Sequence, residues 1–171
     1  MKSLSQREQA EDDYENRVGF RVILTAELLT QGAKTFLRPK HRMSFANWRV
    51  LVVIGSRGPI SAKEVVERTR QPPDRITRTV DQFQARGWVA RRRDVEDGRR
   101  VMLTVTPKGK KIYDDIEQVV REAHRQTVSA LSMSERRVFD ALLRKYEQRC
   151  RALLEAPGAW RRLVERVKKK R

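Results

Sequence analysis

Between residues 61 and 106 the apolar positions follow a helical spacing twice, then change to the alternation of strands. The first helical segment opens on Ser61-Ala62-Lys63-Glu64, the spacing of a capping box. In such a box the serine oxygen accepts a first-turn amide and the glutamate reaches back to the serine amide. A turn at Gln71-Pro72-Pro73-Asp74 follows, in which the prolines cannot extend the preceding helix but can open the next. The second segment places Ile76, Val80 and Phe83 on one stripe at i, i+4 and i+7, and Gly87 stops it. Residues 88–93 and 101–106 are rich in β-formers and read as paired strands, with Asp97-Gly98 as the turn signal between them. Two short helices, a tight turn and a hairpin make a helix-turn-helix with a wing.

The flanks are helical. Residues 1–12 are polar and expected to be loose. From 13 to 37, Val18, Val22, Thr25, Leu29 and Phe36 lie near one seam, and Phe20, Leu24 and Leu28 widen it. So broad an apolar face on a terminal helix exceeds what a monomer usually covers. Pro39 is expected to end this helix, because a residue before proline avoids helical backbone. Ser44 then caps a helix from Phe45 to about Ser56, which Gly55 and Gly58-Pro59 close. Thr106-Pro107 starts a long helix carrying Ile112, Ile116, Val119, Val120, Ala123 and Val128 on its apolar side, to about Leu131. Ser134 is expected to cap the last helix, with Val138, Leu142, Tyr146 and Leu153. Residues 156–171 form a basic tail ending in Lys168-Lys169-Lys170-Arg171. The expected architecture is mainly α with a small β-wing: a winged helix-turn-helix over 44–106, flanked by helical dimerisation segments at 13–37 and 107–155. A symmetric homodimer buries the surplus apolar face most economically.

Charge narrows the partner. The chain has 171 residues, with 39 basic against 22 acidic side chains and a net charge of +17. Such a surplus suits a polyanion, whose counterions are released as its phosphates are neutralised. An arginine-rich genome would raise the surplus as well. No apolar run approaches the ~18–20 residues of a membrane span, and the first residues lack an apolar signal core. A cytoplasmic protein is expected. Cys150 is the single cysteine, which excludes an intrachain disulfide and a cysteine-based zinc site, and its burial as a structural residue is expected. With only His41 and His124 beside it, no metal constellation forms. No Gly-rich phosphate cradle or nucleophile with an oriented base is legible, so neither a cofactor nor an enzyme is expected.

The candidate chemistry therefore lies on the second short helix and the wing. Arg75, Thr77 and Arg78 face away from Ile76 and Val80, where arginine can grip guanine O6 and N7 and threonine can meet a thymine methyl or a phosphate. Asp74 suits the helix N-terminus better than a phosphate. Arg99 and Arg100 flank the hairpin tip, within reach of a narrow minor groove of negative potential. Arg91, Arg92 and Arg93 alternate along a strand, so only some of them can face a duplex. The partner these residues imply is double-stranded DNA, read by two copies at half-sites about one helical turn apart, roughly 34–36 Å.

Several segments together resemble the MarR family of winged helix-turn-helix regulators. They are Trp48-Arg49-Val50-Leu51, Thr77-Arg78, Arg86-Gly87-Trp88-Val89-Ala90-Arg91, Asp94-Val95-Glu96-Asp97-Gly98-Arg99-Arg100 and Leu103-Thr104-Val105-Thr106-Pro107-Lys108-Gly109. With the helix order on either side, the likeness covers most of 13–155. It implies a homodimeric repressor on a palindromic operator, its second reader helix in the major groove and a wing arginine in the minor groove. Gly98 stands where the family commonly has arginine, so Arg99 or Arg100 takes the deepest insertion; Arg99 is favoured, with Asp97 steadying it by an ion pair. The resemblance further implies release by a small phenolic or aromatic acid, or in one branch by cysteine oxidation. The family's effector pocket would fall near His41, Trp48 and Arg49, an aromatic wall with cations. Read from the residues alone, Trp48 is a core side chain and His41 an exposed loop residue. Two alternatives stand beside this reading: an architectural protein with little sequence preference, and a redox-responsive repressor acting through Cys150.

Overall fold

A computed structural model of the chain describes residues 14–94, 97–98 and 100–169. After a single turn of 3-10 helix at Tyr14–Asn16 the elements are α1 (Val18–His41), α2 (Phe45–Arg57), β1 (Ile60–Ser61), α3 (Ala62–Thr69), α4 (Pro73–Ala85), β2 (Val89–Arg93), β3 (Val101–Val105), α5 (Pro107–Val128), α6 (Met133–Glu155) and α7 (Ala159–Lys169). Among the described residues seven α-helices thus accompany one antiparallel sheet of order β1-β3-β2. The expected loose segment 1–12 lies outside the described residues. No helix among the described residues is long and apolar enough to cross a membrane.

The chain divides between Val120 and Arg121 into two compact units. The first holds the sheet and the core: Leu37 from α1, Val50, Leu51 and Ile54 from α2, Val65 from α3, Ile76, Val80 and Phe83 from α4, Leu103 from β3 and Ile116 from α5 are all essentially inaccessible to solvent. β2 and β3 pair with Val89 opposite Val105, Arg91 opposite Leu103 and Arg93 opposite Val101. β1, a strand of two residues, adds Ile60 opposite Leu103. It had no alternating run to announce it; pairing with β3 makes it a strand. The second unit contains α6 and α7, with Ala159 of α7 buried.

Local signals hold at most boundaries. Ser44 accepts the Asn47 amide at 3.1 Å. Ser61 accepts the Glu64 amide at 3.3 Å while its own amide donates to Glu64 Oε2 at 3.0 Å, completing the capping box. Hydrogen bonds from the Ser61 hydroxyl, then from its amide, hold the Glu64 carboxyl below the ordinary glutamate range, with help from Arg100 and Arg68. A lowered folded-state value means that this contribution is complete above the ordinary range and lost as pH falls through the lowered one. Ser61→Ala should therefore cost about 1 kcal/mol in urea unfolding near neutral pH, and the difference from the parent should shrink in acid. An unchanged midpoint at neutral pH would contradict the box's role.

Three boundaries differ from expectation. The first helix does not stop before Pro39 but runs to His41. The proline forfeits one amide near the helix end, while Leu37, His41 and Met43 become buried, so tertiary burial outweighs the local penalty. Arg42, at φ 47°, ends the helix, its amide donating to the Arg38 carbonyl and that of Met43 to the Leu37 carbonyl. Ser132 rather than Ser134 caps α6, because only Ser132 has a glutamate three residues on; the Ser132 amide donates to Glu135 Oε2 at 2.8 Å. The expected basic tail contains α7, whose Trp160, Leu163, Val164 and Val167 recur at helical spacing.

Candidate nucleic-acid interface

α4 turns one face inward and one outward. Ile76, Thr79, Val80 and Phe83 are buried, and the Phe83 ring lies 5.6 Å from that of Trp88. Arg75, Thr77 and Arg78 are exposed on the opposite side. Pro73 opens the helix where a missing amide costs nothing. Thr77 Oγ1 donates to the Pro73 carbonyl at 3.1 Å, which leaves its methyl and an oxygen lone pair for a ligand. Arg78 Nη2 lies 2.5 Å from Asp74 Oδ2, one turn earlier, with both side chains largely solvated. So exposed a pair contributes little stability; it draws the guanidinium back toward the start of α4. Asp74 lies in the first turn of the helix, and the partner of its carboxylate there is Arg78.

The wing stands beside this face. Its tip is closed by backbone bonds: the Arg100 amide donates to the Asp97 carbonyl at 2.8 Å, and the Asp94 amide to the Arg100 carbonyl at 2.9 Å. Asp94 Oδ1 also accepts the Asp97 amide at 3.1 Å. Arg99, the residue expected to enter the minor groove, lies outside the described residues, and so does its expected ion pair with Asp97. The Arg100 guanidinium stands 3.8 Å from Glu64 at the start of α3. Arg91 Nη2 donates to Asp81 Oδ1 at 2.7 Å, tying β2 to α4. The sequence did not disclose that tie, because Asp81 carries no pattern that points to a strand ten residues on.

A hollow of about 250 Å³ opens between α4 and the sheet, lined by Ala62, Thr77, Val80, Arg91, Val101 and Leu103. The residues suggested for an effector are placed differently. His41 is buried at the end of α1 instead of exposed in a loop, and burial, followed by the neighbouring Lys40 charge, holds its pKa below the ordinary histidine value against the opposing pull of Asp115. Trp48 is half-buried against the core, its ring 5.0 Å from that of Phe45. Arg49 donates to the Thr69 carbonyl at the end of α3, so its guanidinium finishes a helix. Cys150 is exposed on α6, contrary to the burial expected of it. Among the described residues no three His, Cys, Asp or Glu side chains gather as a metal ion would need.

Comparison with known proteins agrees with this geometry. The model of the MarR family matches residues 43–100, the segment from the start of α2 to the wing. An uncharacterized HTH-type transcriptional regulator, YwoH of Bacillus subtilis, is 26% identical over 124 residues, 72% of this chain and 89% of that protein. Among solved structures, a mutant MarR from E. coli complexed with operator DNA superposes with a TM-score of 0.65 at 23% identity, covering 79% of this chain and 99% of the other. Bordetella bronchiseptica BpsR, whose DNA binding is regulated by 6-hydroxynicotinic acid, gives a TM-score of 0.66 at 22% identity, covering 78% and 95%.

Proposed function

This chain belongs to the MarR family of transcriptional regulators, and from that premise we propose that it is a homodimeric repressor of a palindromic operator, released by a small aromatic or phenolic anion. The observation that carries DNA reading is the two-sided α4: an apolar face sealed into the core and Arg75, Thr77 and Arg78 presented outward beside the wing. Together with Arg100 of the wing and the expected contact from Arg99, these side chains suit a base-edge surface flanked by phosphates. The net charge of +17 adds unspecific attraction that falls as salt rises.

Exposed apolar stripes support a second copy as partner. On α1, Val18, Ile23, Leu28 and Leu29 are each more than half exposed, and on α6 so are Val138, Phe139 and Leu142. Water is a poor neighbour for surfaces of this kind, and an isologous interface removes both copies of a stripe at once.

For the effector, the hollow under α4 is better equipped than the His41, Trp48 and Arg49 set. It combines an apolar floor with the Thr77 hydroxyl and the Arg91 guanidinium. The exposed Arg91–Asp81 pair exchanges for a ligand carboxylate at small cost, whereas Arg49 would have to abandon a helix-terminal carbonyl. An anion seated there crowds Thr77 and favours a state unable to hold the operator.

The test is to recover the genomic fragments the protein retains, then measure specific and unspecific affinity at one salt concentration. A high ratio on a palindrome, lowered by single-ring aromatic acids, is the expected result. A ratio near one would leave an architectural protein instead. Arg78→Ala should weaken operator binding by about 1–3 kcal/mol in gel shifts if Arg78 reads a base; undiminished binding would remove Arg78 from the reading set. A response to peroxide abolished by Cys150→Ser would favour redox control over an aromatic effector.

A further inference from the structure

α4 ends at Ala85, and the next residue does more than end it. Arg86 donates from Nη1 to the His41 carbonyl at 3.2 Å and from Nη2 to the Arg42 carbonyl at 3.3 Å. Those are terminal carbonyls of α1, which no intrahelical amide can satisfy. The same guanidinium lies over the Trp88 ring, 4.8 Å from its centroid, and Trp88 packs on Phe83 of α4. One planar fork thus joins the last turn of α1 to the last turn of α4. Lysine has the charge but no rigid planar fork, so it cannot place a separate nitrogen on each carbonyl and its plane on Trp88 at once.

The other side of the joint is held as tightly. Thr106 Oγ1 donates to the Gly87 carbonyl at 2.6 Å and the Thr106 amide to the Trp88 carbonyl at 2.9 Å. Gly87, at φ +69°, makes the bend that a side chain would resist. The stretch from Arg86 to Trp88 is therefore gripped from α1 by Arg86 and from the start of α5 by Thr106. Gripped on both sides, α4 has little freedom to swing about its own end.

We propose that Arg86 is a positioning residue: its fork to the α1 terminus sets the angle of α4, and through it the half-site separation that a pair of copies accepts. This rests on the operator reading above, since a separation exists only for two readers on one duplex. Arg86 acts through α4 and is distinct from Arg75, Thr77 and Arg78, which touch DNA in that reading.

The experiment compares the full chain with Arg86→Gln and Arg86→Lys on two measurements. The first is affinity for operators whose half-sites are moved apart or together by one and two base pairs. The parent should discriminate among these spacings, and Arg86→Gln should reduce that discrimination about tenfold while single half-site affinity and self-association stay as they were; Arg86→Lys should resemble Gln. The second is backbone hydrogen exchange without DNA, where Arg86→Gln should speed exchange several-fold at both Arg42–Met43 and Gly87–Trp88. A parent-like spacing profile in Arg86→Gln overturns the proposal. So does an equal loss at every spacing, or faster exchange on one side of the joint alone. If the parent shows no spacing preference, the operator reading fails, and the exchange result decides whether Arg86 couples the two helix ends.

Discussion

Phe83→Ala should destabilise the protein by about 3–5 kcal/mol, the usual cost of emptying a buried aromatic site. Phe83 is 1% exposed, lies on the inward stripe of α4 and stacks obliquely on Trp88. Its removal leaves a void in the core that it shares with Leu51, Ile54, Ile76, Val80 and Leu103, and these residues, already buried, can close it only by moving the backbone. Against a typical stability of about 5–15 kcal/mol, that is a large fraction. Thermal unfolding should show a fall of roughly 6–20 °C for a chain of this size. DNA binding should weaken further than Arg78→Ala weakens it, because α4 then loses the surface that aims it. A midpoint within a degree or two of the parent would mean that the α4 core is not packed as described.

Gly109→Ala should be as damaging for a different reason. A Cβ at this position would stand 1.9 Å from the Trp88 carbonyl oxygen and 2.7 Å from its carbon. Those are backbone atoms, so no rotamer change relieves the clash, and α5 must back away from the strand entry. Retreat also stretches the Thr106 amide bond to the same Trp88 oxygen, now 2.9 Å. Overpacking and a weakened buried hydrogen bond together should cost about 3 kcal/mol or more. Gly32→Ala is the matched control: a Cβ there meets nothing within 4 Å, in the middle of α1. That change should stabilise by roughly 0.5–1 kcal/mol through helix propensity alone. Denaturant midpoints for the two variants should therefore move in opposite directions. If both move alike, the close approach of α5 to Trp88 is not real.

Much of the reader was legible because its signals are short-range. The Ser61–Glu64 box, the Pro73 start and the Ile76, Val80, Phe83 stripe each involve residues within one or two helical turns, and all three appear in place. The Asp97-Gly98 turn and the strands on either side were equally local, and β2 and β3 pair in register. The outward positions Arg75, Thr77 and Arg78 followed from the stripe, since an inward face defines an outward one. Two errors were also local in origin. The rule at Pro39 counts adjacent residues only, and of the two serines it is Ser132 that has the glutamate at the right distance. The surroundings of Arg49 were not legible for another reason: a cation beside an aromatic does not reveal that its guanidinium meets the Thr69 carbonyl at the end of α3.

What the amino-acid order determined by itself is where helices begin, which faces are apolar, and that an arginine-rich hairpin follows a helix with arginines on its outward face. Periodicity and capping depend on partners a few residues away, so they can be read along the chain. Only the tertiary structure decided that α1 runs through Pro39, that Ile60 and Ser61 become a strand, and which arginines are bound to protein. Arg91 meets Asp81 ten residues away, Arg49 the Thr69 carbonyl twenty away, and Arg86 the His41 carbonyl forty-five away. At such separations the sequence holds no spacing rule. A guanidinium can serve any carbonyl or carboxylate that packing brings to it, and the buried core chooses which.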